Sequence, residues 1–431
     1  MKITIIGTGY VGLPSGVGFA ELGNEVCCVD NNMQKIETLN KGELTLYEDG
    51  LADMLKKNVA EQRLFFTTDL PQAVKRADIV ILAVGTPPHP VTKEADLRYI
   101  EAAVTELAPH LNGYTVVATK STVPVGTGDK LEAIIKGKNP EADFDVVSLP
   151  EFLREGFAIH DFFAPERIVI GTDSERARVL MKKLYEPFND RRILFVNRRS
   201  SETIKYASNA FLAVKLNYIN EIANFCEKAG ADIEEVALGI GLDSRIGSKF
   251  LKAGPGYGGS CFPKDTMAMS FMAKQYGIKL PLIDVAISEN EQRQVEMASR
   301  ILNICPTPDA KIAILGLAFK NGTDDCRTSP AIKIISELLK NKADITAYDP
   351  QAMQTAQQIL GSQIMYANSA EKALEGCDVA VILTEWPAFQ KIDWAQSGET
   401  MKHKIIVDYR NLLSKNELKK LGFEYYGIGR A

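Results

Sequence analysis

Apolar residues gather in short continuous runs towards both ends of the sequence, with a longer helical rhythm between them. Near the start, "KITII" (2–6), "EVCCVD" (25–30), "ADIVILAV" (77–84), "YTVVATKST" (114–122) and "DVVSLP" (145–150) alternate with helix-like stretches. Runs that stay apolar at nearly every position predict strands of a parallel sheet covered on both faces. Their alternation with helices predicts a doubly wound α/β domain. The pattern returns in "KIAILG" (311–316), "DITAYDP" (344–350), "CDVAVIL" (377–383) and "KIIVDYR" (404–410). "AVKRADIVILAVGTP" (73–87) and "ALEGCDVAVILTEWP" (373–387) match in pattern at an offset of 300. "IIGTGYVG" and "ILGLAFKNG" both read as a strand followed by a glycine turn. Two α/β domains of related topology are expected.

Between them, "SSETIKYASNAFLAVKLNYINEIANFCEKAG" (200–230) has a serine N-cap candidate, apolar residues at helical spacing and an Ala-Gly end that suits a C-cap. A second helix is expected over 282–303. Long helices between two domains commonly form a dimer interface or a hinge. The expected division is 1–199, 200–305 and 306–431, with the helical part in the middle.

At 431 residues the chain can hold two or three such cores. Its net charge of −5, with acids and bases well mixed, argues against a nucleic-acid or membrane-surface partner. No apolar run approaches the roughly 20 residues that span a bilayer. The opening "MKITIIGTGYVG" goes straight into a strand and a glycine turn, which predicts no signal peptide. Seven cysteines (27, 28, 226, 261, 305, 326, 377) show no disulfide framework and read as reduced thiols of a cytoplasmic protein. The four histidines (89, 110, 160, 403) have no metal-ligand spacing and there is no C-x-x-C, which argues against zinc.

The chemistry begins at "GTGYVG" (7–12). Gly7, Gly9 and Gly12 follow a strand, and Asp30 ends the next strand 18 residues beyond Gly12. Such glycines let a backbone approach a pyrophosphate at a helix N-terminus, and the acid accepts hydrogen bonds from the adenosine ribose. Asp30 would repel a 2′-phosphate and no arginine follows it, so NAD is expected rather than NADP. Lys205 and Asn209 are four apart on the central helix, and their face continues as Leu212 and Leu216. A lysine on a buried stripe needs a partner or a task, unless its stem packs while its head reaches water. "PEFLREG" (150–156) places Glu151 and Glu155 at a strand's carboxyl end, where such folds bind ligands. "ATKSTVP" (118–124) places Thr122 there as well. "FKNGTDDCRTSP" (319–330) puts Lys320 and Arg327 in the first turn of the second α/β domain, where two cations suit phosphates. For each of these charges the plain alternative is a solvated surface group.

"GPGYGGSCFPKD" (254–265) is the oddest stretch. Its four glycines and two prolines exclude a helix, and it has too little apolar surface for a buried strand. Cys261 lies within it, followed by Lys264 and Asp265. A thiol in a flexible polar loop has no core to fill, whereas Cys27, Cys28 and Cys377 on strands fit the role of small buried hydrophobes. Backbone N–H groups and a cation such as Lys264 or Lys205 would favour its thiolate. An NAD enzyme needs no thiol to take an alcohol to an aldehyde. It needs one to go on, because thiolate addition gives a thiohemiacetal that can lose a second hydride. The resulting thioester is then hydrolysed, so the pattern points to a four-electron oxidation of an alcohol to an acid.

"GTGYVG", "KSTVPVG", "PEFLREG", "KYASNAFLAVKLNYINE", "FLKAGPGYGGSCFPKD" and "GLAFKNGTDDCRTSP" together resemble the UDP-glucose/GDP-mannose dehydrogenase family over the whole length. The resemblance implies two Rossmann-like domains joined by a long central helix that pairs in a homodimer. It implies conversion of UDP-glucose to UDP-glucuronate with two NAD reduced. It assigns Cys261 as nucleophile and Lys205 as the fixed charge on the oxyanion. Asp265 and Thr122 would hold the proton-accepting water, Asn209 would orient the sugar, and Glu151 would be the acid–base group of thioester hydrolysis. Besides the glycines, Val11, Asp30, Lys35, Thr86, Thr122, Glu155, Lys264 and Arg327 would contact NAD. The backbones of Glu151, Phe152, Leu153, Arg154 and Glu155, and of Phe250, Leu251, Lys252, Ala253 and Gly254, would hold the sugar nucleotide. Lys205, Asn209, Gly258, Lys320 and Arg410 would assist them. Arg245 resembles the arginine that family members extend across the dimer interface. Pro14, early in the first helix, is a small departure. Three alternatives stay open: a sister enzyme acting on UDP-N-acetylmannosamine or GDP-mannose, a two-electron hydroxyacid dehydrogenase, and an NAD-binding regulatory protein without turnover.

Overall fold

The computed structural model describes residues 1–89, 94–188 and 192–430. The chain forms two compact units, one of Met1–Ser208 with Phe271–Ile278, the other of Asn209–Ser270 with Lys279–Ala431. Each has its own sheet.

The first sheet contains β1 (Lys2–Ile6), β2 (Glu25–Val29), β3 (Leu64–Thr67), β4 (Ile79–Leu82), β5 (Thr115–Thr119), β6 (Phe144–Ser148), β7 (Ile168–Gly171) and β8 (Ile193–Val196). Their order is β3-β2-β1-β4-β5-β6-β7-β8. All pairs are parallel except β6 with β7, which meet only at Ser148 and Gly171. Both faces are covered, as the apolar runs predict. Ile79 and Ile81 of β4 join one core cluster, while Val80 and Leu82 join another. Successive strand residues point to opposite faces, so a strand buried on both sides must be apolar at every position.

The second sheet contains β9 (Lys311–Leu315), β10 (Asp344–Tyr348), β11 (Met365–Tyr366), β12 (Val379–Ile382), β13 (Ile405–Asp408) and β14 (Glu424–Gly427), in the order β11-β10-β9-β12-β13-β14. In both sheets the third, second, first, fourth and fifth strands follow one another. The two segments that match at an offset of 300 are therefore the equivalent fourth strands. Ile79 pairs with Ile3 of β1, and Val379 with Ile312 of β9.

The central helix runs from Arg198 to Ala229 and carries the chain from the first unit into the second. It starts two residues before the expected position. Its cap is Asn197, whose Oδ1 accepts the Ser200 N–H at 2.8 Å, rather than a serine. Gly230 ends it with φ 75°, the left-handed conformation expected of a C-cap glycine. The later helix spans Pro281–Ile304.

Candidate active site

In the first unit, the turn after β1 is built by glycines for steric reasons. A Cβ on Gly12 would lie 1.9 Å from the Gly7 carbonyl oxygen, and Gly7 itself holds φ 103°. Gly9 differs, because a Cβ there would meet no protein atom within 4 Å. The fold leaves Gly9 free to change, so its glycine suits an approaching ligand. The helix Gly12–Glu21 follows, with its N-terminus at this turn. Asp30 stands just past β2 and accepts the Thr8 N–H at 3.0 Å and the Thr8 hydroxyl at 2.6 Å. Burial pushes the Asp30 carboxyl up, but Thr8, the Asn32 N–H and Lys35 outweigh it and hold it below the ordinary range. Lys35 Nζ lies 3.9 Å from Asp30. Open space over Gly9, a helix N-terminus and an ionised acid one strand away fit a dinucleotide.

The carboxyl edge of the same sheet carries a buried charge cluster. Glu151 follows β6, and its Oε1 accepts a hydrogen bond from Lys205 Nζ at 2.9 Å. Both side chains are only 5% exposed. Glu151 Oε2 accepts the Leu153 N–H at 2.6 Å. Burial pushes the Glu151 carboxyl up, yet Lys205, the Leu153 N–H and the nearby Lys120 ammonium together hold it below the usual carboxylate range. Lys205 Nζ also lies 5.3 Å from the centroid of the Phe152 ring, while Arg167 stacks on that ring at 3.9 Å. Arg154 is committed to Asp161 by a two-point contact, and Glu155 is half-buried. The Thr86 hydroxyl donates to the Thr122 carbonyl at 2.8 Å, joining two of the expected cofactor residues.

In the second unit, the glycine-rich stretch departs from expectation in two ways. Its last residues, Phe262 to Asp265, form the first turn of a helix, Phe262–Gln275. Cys261 thus sits immediately before a helix N-terminus, and its carbonyl accepts the Asp265 N–H at 2.9 Å. Pro263 is compatible with a first turn because N–H groups there lack helical partners. The loop is also packed rather than flexible and polar: Gly254, Pro255, Tyr257, Gly258 and Gly259 are all buried. Its polar backbone is satisfied by the helix Pro281–Ile304. Asn290 Oδ1 accepts the Tyr257 N–H at 2.8 Å, and Arg293 Nε donates to the Gly254 carbonyl at 2.7 Å. Asn220 of the central helix accepts the Gly254 N–H at 2.9 Å. A Cβ on Gly258 would stand 2.2 Å from the Thr328 carbonyl oxygen. Phe250 and Thr328, which both border this loop, hold left-handed φ values of 64° and 47°. For bulky and β-branched residues such strain costs about 1–3 kcal/mol and tends to concentrate at functional sites.

Asp265 is 1% exposed and is held between two partners. Its Oδ2 accepts Asn209 Nδ2 at 2.6 Å, and its Oδ1 is hydrogen-bonded by Lys264. Lys320 sits 5.6 Å from the Phe319 ring centroid. Arg410 Nη2 donates to the Phe319 carbonyl at 3.2 Å and approaches the Gly254 position, where a Cβ would lie 3.3 Å from Nη1. Arg327 forms a two-point pair with Asp325. The second unit therefore brings Asn209, Asp265 and Lys264 together, and Gly254 with Arg410. Leu251 and Ala253 are buried and Lys252 is exposed. Arg245 stands apart, 87% exposed and paired to Asp243.

Four cysteines away from the loop are held as thiols by burial. Burial pushes Cys27 up to about 11 and Cys326 and Cys377 up to about 12, and Cys28 is driven well above its ordinary value. Three groups of positioning residues lay outside the sequence expectations. Asn290, Arg293 and Gln294, buried at i, i+3 and i+4, form a polar stripe that could have been read from helical spacing. Lys120 stands in "ATKSTVP", but its burial is not apparent from that segment. Glu48 accepts the Gly156 and Ala158 N–H groups across more than a hundred residues, and no local pattern marks it.

Three domain descriptions of one family match this chain. The NAD binding domain of the UDP-glucose/GDP-mannose dehydrogenase family matches residues 1–189, its central domain 199–292 and its UDP binding domain 313–415. A UDP-glucose 6-dehydrogenase of Rhizobium meliloti (strain 1021) is 50% identical, and the match covers 100% of each chain. Among solved structures, a UDP-glucose dehydrogenase from the hyperthermophilic archaeon Pyrobaculum islandicum superposes with a TM-score of 0.92 at 35% identity, covering 100% of this chain and 98% of that one. A UDP-D-ManNAc dehydrogenase from Pyrococcus horikoshii superposes with a TM-score of 0.86 at 30% identity, covering 100% of this chain and 99% of that one.

Proposed function

Because the chain belongs to the UDP-glucose/GDP-mannose dehydrogenase family, we propose that it oxidises UDP-glucose to UDP-glucuronate through a covalent intermediate on Cys261. The observation that carries this reading is the placement of Cys261 at a helix N-terminus in a buried glycine loop bordered by the strained Phe250 and Thr328. Such a position favours negative charge on sulfur and lets a substrate approach closely. NAD, when bound over Gly7–Gly12 with its ribose at Asp30, supplies the hydride acceptor, twice per sugar.

The chain's own residues supply the rest. The sulfur of Cys261 adds to the C6 aldehyde, and the fixed ammonium of Lys205 stabilises the oxyanion that forms. Asn209 orients the sugar, and Asp265 and Thr122 hold the water that takes up protons. In the last step water attacks the thioester carbon and Glu151 removes its proton. The carbon–sulfur bond breaks and the sulfur leaves as the Cys261 thiolate. Gly254, Gly258, Lys320 and Arg410 hold the nucleotide end of the substrate. The NAD-binding part is assigned to 1–199, the central part to 200–305 and the UDP-binding part to 306–431.

A homodimer through the central helix is part of this reading. Phe211, Tyr218 and Phe225 lie seven apart on that helix and are 64%, 51% and 66% exposed. Leu238 and Leu242 nearby are 65% and 79% exposed. An apolar patch of this kind on a folded unit marks an interaction surface. The exposed Arg245 belongs to the same assembly, reaching towards a partner's substrate. Likeness to a UDP-D-ManNAc dehydrogenase keeps the sister substrate as the alternative. NADH formation measured with UDP-glucose, UDP-N-acetylmannosamine and GDP-mannose in turn separates them, and strong preference for either of the latter two overturns the glucose assignment.

A further inference from the structure

Lys120 is a buried cation that the mechanism above does not use. It follows β5, and its backbone is fixed by a hydrogen bond from its N–H to the Leu82 carbonyl at 2.8 Å. The neighbouring strand β6 runs parallel, with Thr119 opposite Ser148, and leads directly to Glu151. Lys120 is only 6% exposed, so its head does not reach water along a packed stem. Its ammonium forms no hydrogen bond and no close ion pair among the described residues. Leaving an unpaired ammonium in that place is costly.

The charged groups that act on it are Glu151 and Lys205, and those that act on Glu151 are Lys205 from the central helix and Lys120 from the end of β5. The cluster thus holds two cations and one carboxylate. We propose that Lys120 is a positioning residue for the hydrolytic step, keeping the Glu151 carboxylate ionised while Lys205 is engaged with the substrate oxyanion. The inference rests on the reading of Glu151 as the base. A base shared with one lysine would lose that support when the lysine turns to a developing oxyanion. A second buried cation preserves it. Burial pulls the Lys120 ammonium down to about 8, with Glu151 opposing the drop and Lys205 adding to it, so at neutral pH it is still mostly charged.

The test is the pH profile of kcat with UDP-glucose for wild type, Lys120→Met, Lys120→Arg and Glu151→Gln. Intact mass after acid quench reads the fraction of Cys261 held as thioester. Glu151→Gln is expected to lose the acid limb and accumulate thioester. Lys120→Met is expected to move the acid limb up by about one pH unit, which lowers kcat about tenfold on the acid side of the limb, one decade per unit of displaced pKa, and little at neutral pH, where Glu151 stays ionised. Thioester should accumulate on that acid side too. Lys120→Arg keeps the charge and should keep the limb. Removing an unpaired buried charge should leave Tm unchanged or raise it. An unmoved acid limb in Lys120→Met, beside a lost limb in Glu151→Gln, overturns the role of Lys120 alone. An intact limb in Glu151→Gln overturns the base assignment and Lys120 with it. If Lys120→Met is too unstable to assay, Lys120→Gln carries the same comparison.

Discussion

Lys205 donates to Glu151 across 2.9 Å in a place where both side chains are 5% exposed. A buried pair of this kind is weak evidence of stability, since desolvation offsets most of the attraction. Removing one partner is another matter. Lys205→Met removes the cation hydrogen-bonded to the Glu151 carboxylate and leaves it the Lys120 ammonium, so a loss of roughly 3 kcal/mol, the low end for breaking a buried pair, is expected in denaturant titration. Adding Glu151→Gln to that variant should recover most of the stability. Recovery of kcat is not expected, because losing one electrostatic stabiliser costs roughly 10²- to 10³-fold. A change confined to KM would make Lys205 a uniform binding residue instead.

The same pair sets a pH dependence of stability. The Glu151 carboxyl is held below its ordinary value in the folded chain. Its contribution is therefore present above the unfolded value of about 4.3 and lost as pH falls through the lower folded one. Glu151→Gln should flatten the fall of Tm with acidification in that window. An unchanged slope would mean that Glu151 is not the depressed group.

Gly9 and Gly12 allow ligand and fold to be separated. A methyl group on Gly12 collides with Gly7, whereas one on Gly9 meets nothing. Gly12→Ala should destabilise the first unit. Gly9→Ala should leave Tm unchanged and weaken NAD binding, measured by calorimetry. Wild-type affinity in Gly9→Ala would place the pyrophosphate elsewhere.

The aromatic stripe on the central helix predicts a change of assembly. Phe211, Tyr218 and Phe225 all stand exposed on one face of it. Phe225→Glu places a charge in an apolar contact and should shift the protein towards monomers in light scattering. A variant that stays dimeric would remove this helix face from the interface.

Much of this arrangement could be read in advance, and the reasons are specific. β4 and β12 are buried on both faces, so every residue is apolar and the pattern is plain. β3 and β14 lie at sheet edges, alternate in exposure and are four residues long, and β11 has only two residues. None of these three was expected. Lys205 was legible as a lysine on an apolar helical face, but its partner lies 54 positions away and helical spacing cannot reach it. The glycine loop looked exposed because its composition is that of a turn. It is buried because Asn290, Arg293 and Asn220 on two helices satisfy its backbone.

Cys261→Ser should abolish acid formation while leaving UDP-glucose binding nearly unchanged, since a hydroxyl is close in size but a far weaker nucleophile at neutral pH. Undiminished turnover would exclude a covalent route.

The most direct test of the whole account counts NADH formed per UDP-glucose consumed by the wild-type enzyme. Oxidation through a thioester on Cys261 predicts two NADH and one UDP-glucuronate. One NADH with a released carbonyl product would contradict it.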